Sequence, residues 1–114
     1  MKTQRIGNEA EQKALSFLEA KGLSLVEKNF SCRLGEIDLI MKDETCLIFV
    51  EVRKRTNPLY GSGAETVTPA KQRKIIKTAQ FFLLNHAIGD YDCRFDVISI
   101  NEDVDWIKHA FTLD

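Results

Sequence analysis

The pattern of apolar runs and polar breaks is clearest between Gly35 and Arg55. Two apolar runs, Ile37–Met41 and Leu47–Val52, flank a short charged segment, as expected for adjacent strands joined by a tight loop. If Lys42 and Leu47 close this loop, residues whose numbers sum to 89 lie opposite each other. The sequence therefore predicts an antiparallel hairpin with a defined register.

Two acidic residues lie within these apolar runs. The residue numbers of Asp38 and Glu51 add up to 89, so the predicted register places these two residues opposite each other. Directly opposed residues of an antiparallel pair have Cα atoms within about 5.5 Å and side chains on the same face of the sheet. Arg53 faces the same way as Glu51, because strand side chains alternate with period two. Two close carboxylates in apolar surroundings repel each other unless a cation neutralises them. We therefore expect a metal site that can bind a phosphate.

An apolar stripe at helical spacing predicts a first helix over Thr3–Lys21, with Gly22 as its stop. Glu9 lies one turn from the start of this helix. It is either a first-turn acid favoured by the helix dipole or a further ligand that reaches the hairpin site. A short edge strand, Leu23–Asn29, follows, and Phe30–Leu34 is predicted to turn the chain into the hairpin.

The segment after the hairpin, residues 56–66, contains one proline and two glycines and predicts a loop. Tyr60 in this loop could stack on a nucleic-acid base or pack against the domain. Thr68 as N-cap and Pro69 at the first helical position then predict a second helix to about Asn85. Polar residues on one face of this helix are available to a phosphate backbone: Lys71, Lys74, Lys77 and Thr78.

The remaining chain predicts two strands, Arg94–Ile100 and Val104–Phe111, joined by a turn. Asp96 needs a partner if it is buried, so it is a bonded structural acid or, with Glu36, a residue that supports the site. The order helix, strand, strand, strand, helix, strand, strand predicts one α/β (α+β-like) domain spanning residues 1–114, in which a mixed sheet of about five strands is flanked by helices.

Composition and charge narrow the functional classes. No apolar run approaches the roughly 20 residues that span a membrane, and the N-terminus lacks an apolar signal region. The three cysteines are far apart and form no CxxC pair, so we expect free thiols in a cytoplasmic protein. His and Cys lack zinc-ligand spacing, and oxygen ligands favour Mg²⁺ or Mn²⁺.

The net charge is −1, but basic and acidic residues are unevenly distributed along the chain. Residues 51–77 contain seven Lys and Arg against two acids, whereas residues 90–114 contain seven acids against two bases. The basic residues gather around the candidate site, which indicates either a footprint for a polyanion or a solvated helix face.

The spacing of Asp38 and the run Glu51-Val52-Arg53 resembles the PD-(D/E)xK signature of restriction-endonuclease-like nucleases. The whole chain more closely resembles the YraN-like family of small bacterial proteins, which implies a restriction-endonuclease-like core. The matching segments are GNEA (7–10), GEIDLI (35–40), FVEVRKR (49–55), YG (60–61), the helix around Lys71, RFDVI (94–98) and HAF (109–111).

This resemblance implies roles for individual residues. Asp38 and Glu51 would ligate one or two Mg²⁺ ions together with the carbonyl of Val52, and Glu9 would correspond to a helix acid of archaeal Holliday-junction resolvases. Arg53 departs from the signature, which has lysine there. Because arginine cannot lose its proton, it can hold a phosphate oxygen but cannot act as a base.

A lysine from elsewhere could replace the signature lysine. Lys71 could supply its ammonium group from the second helix, whereas Lys54 is expected on the other strand face.

Two hypotheses follow. In the first, the chain is a metal-dependent nuclease that acts on DNA, including branched or damaged DNA. In the second, it is a nucleic-acid-binding module with little turnover. In both, DNA is favoured over RNA, no membrane is involved and a homodimer is an open alternative. Nucleic-acid contacts are expected from Arg53, Arg55, Tyr60, Lys71 and Lys74.

Overall fold

The computed structural model describes residues 8–54, 67–86 and 91–112. Arg55, Tyr60 and the rest of the predicted 56–66 loop lie outside these residues. The described elements are α1 (Asn8–Ala20), β1 (Ser24–Cys32), β2 (Gly35–Lys42), β3 (Cys46–Lys54), α2 (Pro69–His86), β4 (Asp92–Ile100) and β5 (Val104–Phe111).

The five strands form one mixed sheet in the order β1-β2-β3-β4-β5. The β3–β4 pair is parallel and the other pairs are antiparallel. The predicted element order and mixed sheet are therefore confirmed, and the chain has an α+β fold. Because β1 is at the edge of the sheet, its predicted edge position is also confirmed.

The predicted register of the central hairpin is confirmed. Leu39 pairs with Val50 and Lys42 pairs with Leu47, so the numbers of paired residues add up to 89, as predicted. The carboxylate of Asp43 accepts hydrogen bonds from the backbone N–H groups of Thr45 and Cys46, which stabilises the loop.

The predicted turn at Phe30–Leu34 is wrong at its first three residues. β1 continues through Cys32, because Phe30 pairs with Ile37 and Cys32 pairs with Gly35. Phe30 is also buried against Phe82 of α2, with ring centroids 5.1 Å apart. The apolar area that this contact buries favours the strand over an earlier turn.

The predicted end of α1 and the predicted start of α2 are both found, whereas the predicted start of the first helix at Thr3 lies outside the described residues. Gly22 has φ +99°, and the N–H groups of Gly22 and Leu23 donate to the carbonyls of Glu19 and Leu18, which is a Schellman end. Thr68 caps α2, because its hydroxyl accepts the N–H of Lys71.

The sheet separates two apolar clusters. The first lies between the sheet and α2 and includes Phe49, Phe82 and Phe95. The second lies between the sheet and α1 and includes Leu18 and Met41. Burial on both faces explains why the central strands β2, β3 and β4 are almost continuously apolar. Neither described helix is long and apolar enough to span a lipid bilayer.

A paired-carboxylate candidate site

Asp38 and Glu51 meet at the end of the central hairpin. The β2–β3 pairing ends at Leu39 and Val50, and the two acids occupy the next position on each strand. There the N–H of Val52 donates to Asp38 Oδ2 at 2.8 Å. The carboxylate of Asp38 thus accepts a hydrogen bond in place of a backbone carbonyl, and the regular β2–β3 hydrogen bonding stops at the two acids.

The strand geometry is irregular at Asp38. Ile37 belongs to the cluster under α2 and Leu39 to the cluster under α1, although residues two apart on a regular strand share a face. Asn29 of β1 lies opposite Asp38, between the pairs Lys28–Leu39 and Phe30–Ile37, and has φ +54°. Asn tolerates this left-handed conformation better than most residues. The distortion of both strands therefore coincides with the position of the carboxyl pair, where the β2–β3 pairing ends.

The two carboxyl groups interact electrostatically. Burial, followed by the charge of Glu51, raises the pKa of Asp38 to about 8 from an ordinary value of 3.8. Glu51 contributes further through a side-chain hydrogen bond, whereas the Val52 N–H opposes the rise in this pKa. The structure therefore brings the two predicted acids together, although the regular pairing ends one residue before them.

Two cations converge on Glu51. Arg53 Nη1 and Lys71 Nζ each lie 3.3 Å from Glu51 Oε2, and Glu51 is only 6% exposed. Among the described residues no ion pair reaches Asp38. The acid, acid, base arrangement predicted for the hairpin is present, and Lys71 joins it from α2. Charge compensation is concentrated on one carboxylate of the pair.

The pair borders a cavity of about 470 Å³ between the sheet and the first turns of α1. Its lining residues are Glu9, Ala10, Glu11, Lys13, Asp38, Glu51, Val52, Lys54 and Ile100. Lys54 was expected on the strand face opposite Arg53. It lines the cavity together with Val52, which packs against the apolar cluster under α1, whereas Arg53 and Lys71 are absent from the lining.

The structure adds an acid that the sequence argument missed. Glu9 is exposed and lines the cavity, whereas Glu11 is partly buried and accepts a hydrogen bond from Asn29 Nδ2 at 2.9 Å. The charge of Glu11 also contributes to the raised pKa of Asp38. Glu11 precedes the buried Ala14 and Leu18 by three and seven residues, and this spacing could have identified it.

The other predicted residues fall into different environments. Lys74 and Glu36 are exposed, and neither lines the cavity beside the pair. Thr78, predicted on the exposed face of α2, is instead fully buried and donates to the carbonyl of Lys74 at 2.7 Å. It is buried because the β1–β2 turn packs there, with Gly35 against α2.

Asp96 has the structural environment that its buried position requires. It is fully buried and accepts two hydrogen bonds from Arg94, at 2.9 and 2.8 Å. Trp106 Nε1 and the backbone N–H of His109 donate to it as well, at 2.8 and 3.1 Å. These contacts attach β5 to β4 and do not involve the carboxyl pair.

The donor set of the pair suits a hard divalent cation. No group of three or more His, Cys, Asp or Glu in the described ranges is placed to hold a metal ion. Mg²⁺, however, is often held by one or two protein carboxylates together with water and substrate phosphates. The pKa of Asp38 is raised first by burial and then by the negative charge of Glu51, and such a cation would neutralise that charge.

These features define an α+β domain with a carboxyl pair and two cations at the open end of its central hairpin. By sequence, the chain belongs to the Uncharacterised protein family UPF0102, whose model matches residues 10–100. The resemblance to the YraN-like family is thereby confirmed. The relation to PD-(D/E)xK nucleases stays a prediction.

Relatives are similar over nearly their whole length. A UPF0102 protein of Nitrosomonas eutropha is 48% identical over 111 residues, covering 96% of this chain and 95% of the relative. A UPF0102 protein of Legionella pneumophila is 47% identical, covering 96% of each chain. One from Coxiella burnetii is 45% identical, covering 98% of this chain and 96% of the relative.

Proposed function

We propose that this chain is a metal-dependent nuclease that hydrolyses phosphodiester bonds in DNA, with branched or damaged DNA among its substrates. The observation that carries the proposal is the carboxyl pair of Asp38 and Glu51, which borders a cavity and has Arg53 and Lys71 beside it. A pure binding surface for phosphate gains nothing from two adjacent carboxylates, because they repel the ligand.

The two cations can both act on a phosphate. The guanidinium of Arg53 carries several donors, of which one contacts Glu51, so others remain for a phosphate oxygen. Lys71 Nζ lies 3.3 Å from the same carboxylate oxygen, Glu51 Oε2. It would supply the ammonium group that the PD-(D/E)xK signature has as a lysine at the position of Arg53. Together they would stabilise the charge that develops on the phosphate in the transition state.

The cofactor in this proposal is Mg²⁺ or Mn²⁺, held by Asp38, Glu51 and the carbonyl of Val52. When bound, the ion would polarise the scissile phosphate and make an attacking water more acidic. Glu9 lines the same cavity and would assist from α1.

A second candidate function is a nucleic-acid-binding module with little or no turnover. It is favoured by the pairing of both cations with Glu51 and by the arginine at the signature lysine position. In this alternative Arg53, Lys71 and Lys74 bind phosphates, and Arg55 and Tyr60, which lie outside the described residues, remain predicted contacts.

The proposal is tested by incubating the pure protein with labelled linear, nicked, flapped and four-way DNA in Mg²⁺, Mn²⁺ or EDTA. Cleavage is expected with either metal and is expected to stop in EDTA. Asp38→Asn and Glu51→Gln should each lower cleavage by roughly a hundredfold or more. Glu44→Gln, in the exposed loop at the other end of the hairpin, is the matched control.

Arg53→Ala separates the two candidate functions. In a nuclease its guanidinium acts mainly on transition-state charge, so cleavage should fall much more than affinity. In a binding module, affinity falls and no wild-type cleavage is seen with any substrate or metal. Wild-type protein that binds no nucleic acid at low salt would refute both.

A further inference from the structure

One flank of α2 changes from cationic to apolar along its length. Lys71, Lys74 and Phe81 follow each other at helical spacing on this flank, and all three are exposed, Phe81 by 40%. α2 contains no acidic residue. The flank therefore offers positive charge first and an aromatic ring further on.

The β1–β2 turn borders the same flank. A Cβ atom at Gly35 would lie 2.8 Å from Thr78 Oγ1 and 3.8 Å from Lys74 Cβ, so the turn packs directly on this part of α2. Arg33 and Leu34 form the turn and are both exposed, Leu34 by 41%. They add one cation and one apolar side chain beside the flank. We call this surface the α2 strip, defined by Arg33, Leu34, Lys71, Lys74 and Phe81.

The α2 strip starts at the carboxyl pair and ends at an aromatic contact. Lys71 Nζ lies 3.3 Å from Glu51 Oε2, and Phe81 lies ten residues further along α2, about 15 Å at the helical rise. Phe30 of β1 supports the ring of Phe81, with centroids 6.4 Å apart. Phe81 is thus held in place on one side and open to solvent on the other.

We propose that the α2 strip binds a single-stranded segment of nucleic acid that leads away from the carboxyl pair. Its phosphates contact Lys71, Lys74 and Arg33, and an unpaired base stacks on the exposed side of Phe81. This inference rests on the proposed function and specifies its substrate: a strand with unpaired bases next to the site. In a duplex the bases are already stacked on each other, so an exposed aromatic ring adds affinity only for unpaired bases.

The charge of α2 argues against a second copy of the chain as the occupant. The helix carries four Lys and Arg side chains and no acid, so two such helices facing each other would bring like charges together. A polyanion is complementary to this surface. Leu84, 85% exposed and one turn beyond Phe81, offers apolar area without an aromatic ring and serves as a matched control.

The test measures fluorescence anisotropy with a labelled oligothymidylate and with a duplex of the same length, in EDTA to prevent cleavage. Phe81→Ala should weaken single-strand binding by roughly 5- to 150-fold, the effect of one lost stacking contact, and leave duplex binding nearly unchanged. Phe81→Tyr should restore single-strand affinity. Lys74→Ala should weaken both ligands, and Leu84→Ala neither.

Each alternative outcome has a distinct meaning. The base-stacking role is wrong if Phe81→Ala binds the single strand as tightly as wild type, or if its affinity for the single strand and for the duplex falls equally. In both cases nucleic-acid binding by the protein stands. If wild type binds neither ligand, the proposed function itself fails. If Phe81→Ala and Leu84→Ala both change the sedimentation coefficient of the protein, the surface is an interface between copies of the chain, and the inference is overturned.

Discussion

The charge of Asp38 is the least compensated charge in the carboxyl pair. Glu51 has Arg53 and Lys71 within 3.3 Å, whereas the stabilising contact found for Asp38 is the N–H of Val52. Burial and the neighbouring Glu51 therefore favour its protonated form. This asymmetry gives the metal-free protein a measurable pH dependence.

Without metal, the free energy of unfolding should fall as pH rises from about 4 to about 8. The pKa of Asp38 is about 8 in the folded state and 3.8 in a solvated chain, so the folded protein binds the extra proton in this window. The slope approaches about 1.4 kcal/mol per pH unit, the limit for one proton. Asp38→Asn removes this dependence and should be more stable than wild type at pH 8.

Urea unfolding in EDTA at several pH values measures this effect. Glu44→Gln is the control, because Glu44 is exposed in the β2–β3 loop. If Asp38→Asn kept the wild-type slope across this window, the raised pKa would not belong to Asp38.

At the level of single residues, sequence reasoning succeeded where one local rule was enough. The opposition of Asp38 and Glu51 follows from strand period and loop length, and both are visible in the sequence. Glu11 was missed because its position near Asp38 depends on where α1 lies on the sheet. That placement is not a local property of the sequence.

At the level of elements, the packing of α2 on β2 depends on Gly35. Its φ is +155°, and an added Cβ would lie 2.8 Å from the buried Thr78 Oγ1. Gly35→Ala should therefore destabilise the fold by roughly 1–3 kcal/mol. In the double variant with Thr78→Ala the clash is gone, so the loss should be smaller than the sum of the two single losses.

Gly22→Ala provides the control for backbone strain alone. Gly22 also has a positive φ, +99°, but no atom lies within 4 Å of an added Cβ. Denaturant midpoints of the four variants and wild type measure these losses. Strictly additive losses for Gly35→Ala and Thr78→Ala would show that the two positions do not clash.

Both edge strands contain a left-handed residue near an aspartate of the neighbouring strand. Asn29 in β1 lies opposite Asp38, and His109 in β5 donates its N–H to Asp96. Such distortions make an edge strand a poor template for pairing with another chain. They were not predicted, because they arise from contacts between strands. The order of elements along the chain, the end of α1 at Gly22 and the cap of α2 at Thr68 were predicted, because apolar periodicity and capping residues encode them locally.

At the level of the whole molecule, a net charge of −1 coexists with a basic helix beside the carboxyl pair. The affinity for DNA should therefore fall with salt concentration as expected for a few contacts between phosphates and the basic residues of α2. Lys74→Ala should weaken affinity for all sequences and reduce the slope of log affinity against log salt by about 0.9, the effect of one lost phosphate contact.

Salt titrations of wild type and variants by anisotropy measure this slope. Lys108→Ala is the matched control, because Lys108 is exposed on β5 and lies over the ring of Trp106, 4.4 Å from its centroid. An equal change of slope in both variants would indicate diffuse attraction and no localised footprint.

Mn²⁺ binding by the metal-free protein, measured by isothermal titration calorimetry, tests the proposed metal site most directly. In the proposal, Asp38 and Glu51 together hold a divalent cation. Wild type and Glu44→Gln should bind Mn²⁺ at this site, and both Asp38→Asn and Glu51→Gln should lose it. If both of these variants bound Mn²⁺ as tightly as wild type, the carboxyl pair would not be the metal site, and the proposed nuclease centre would be wrong.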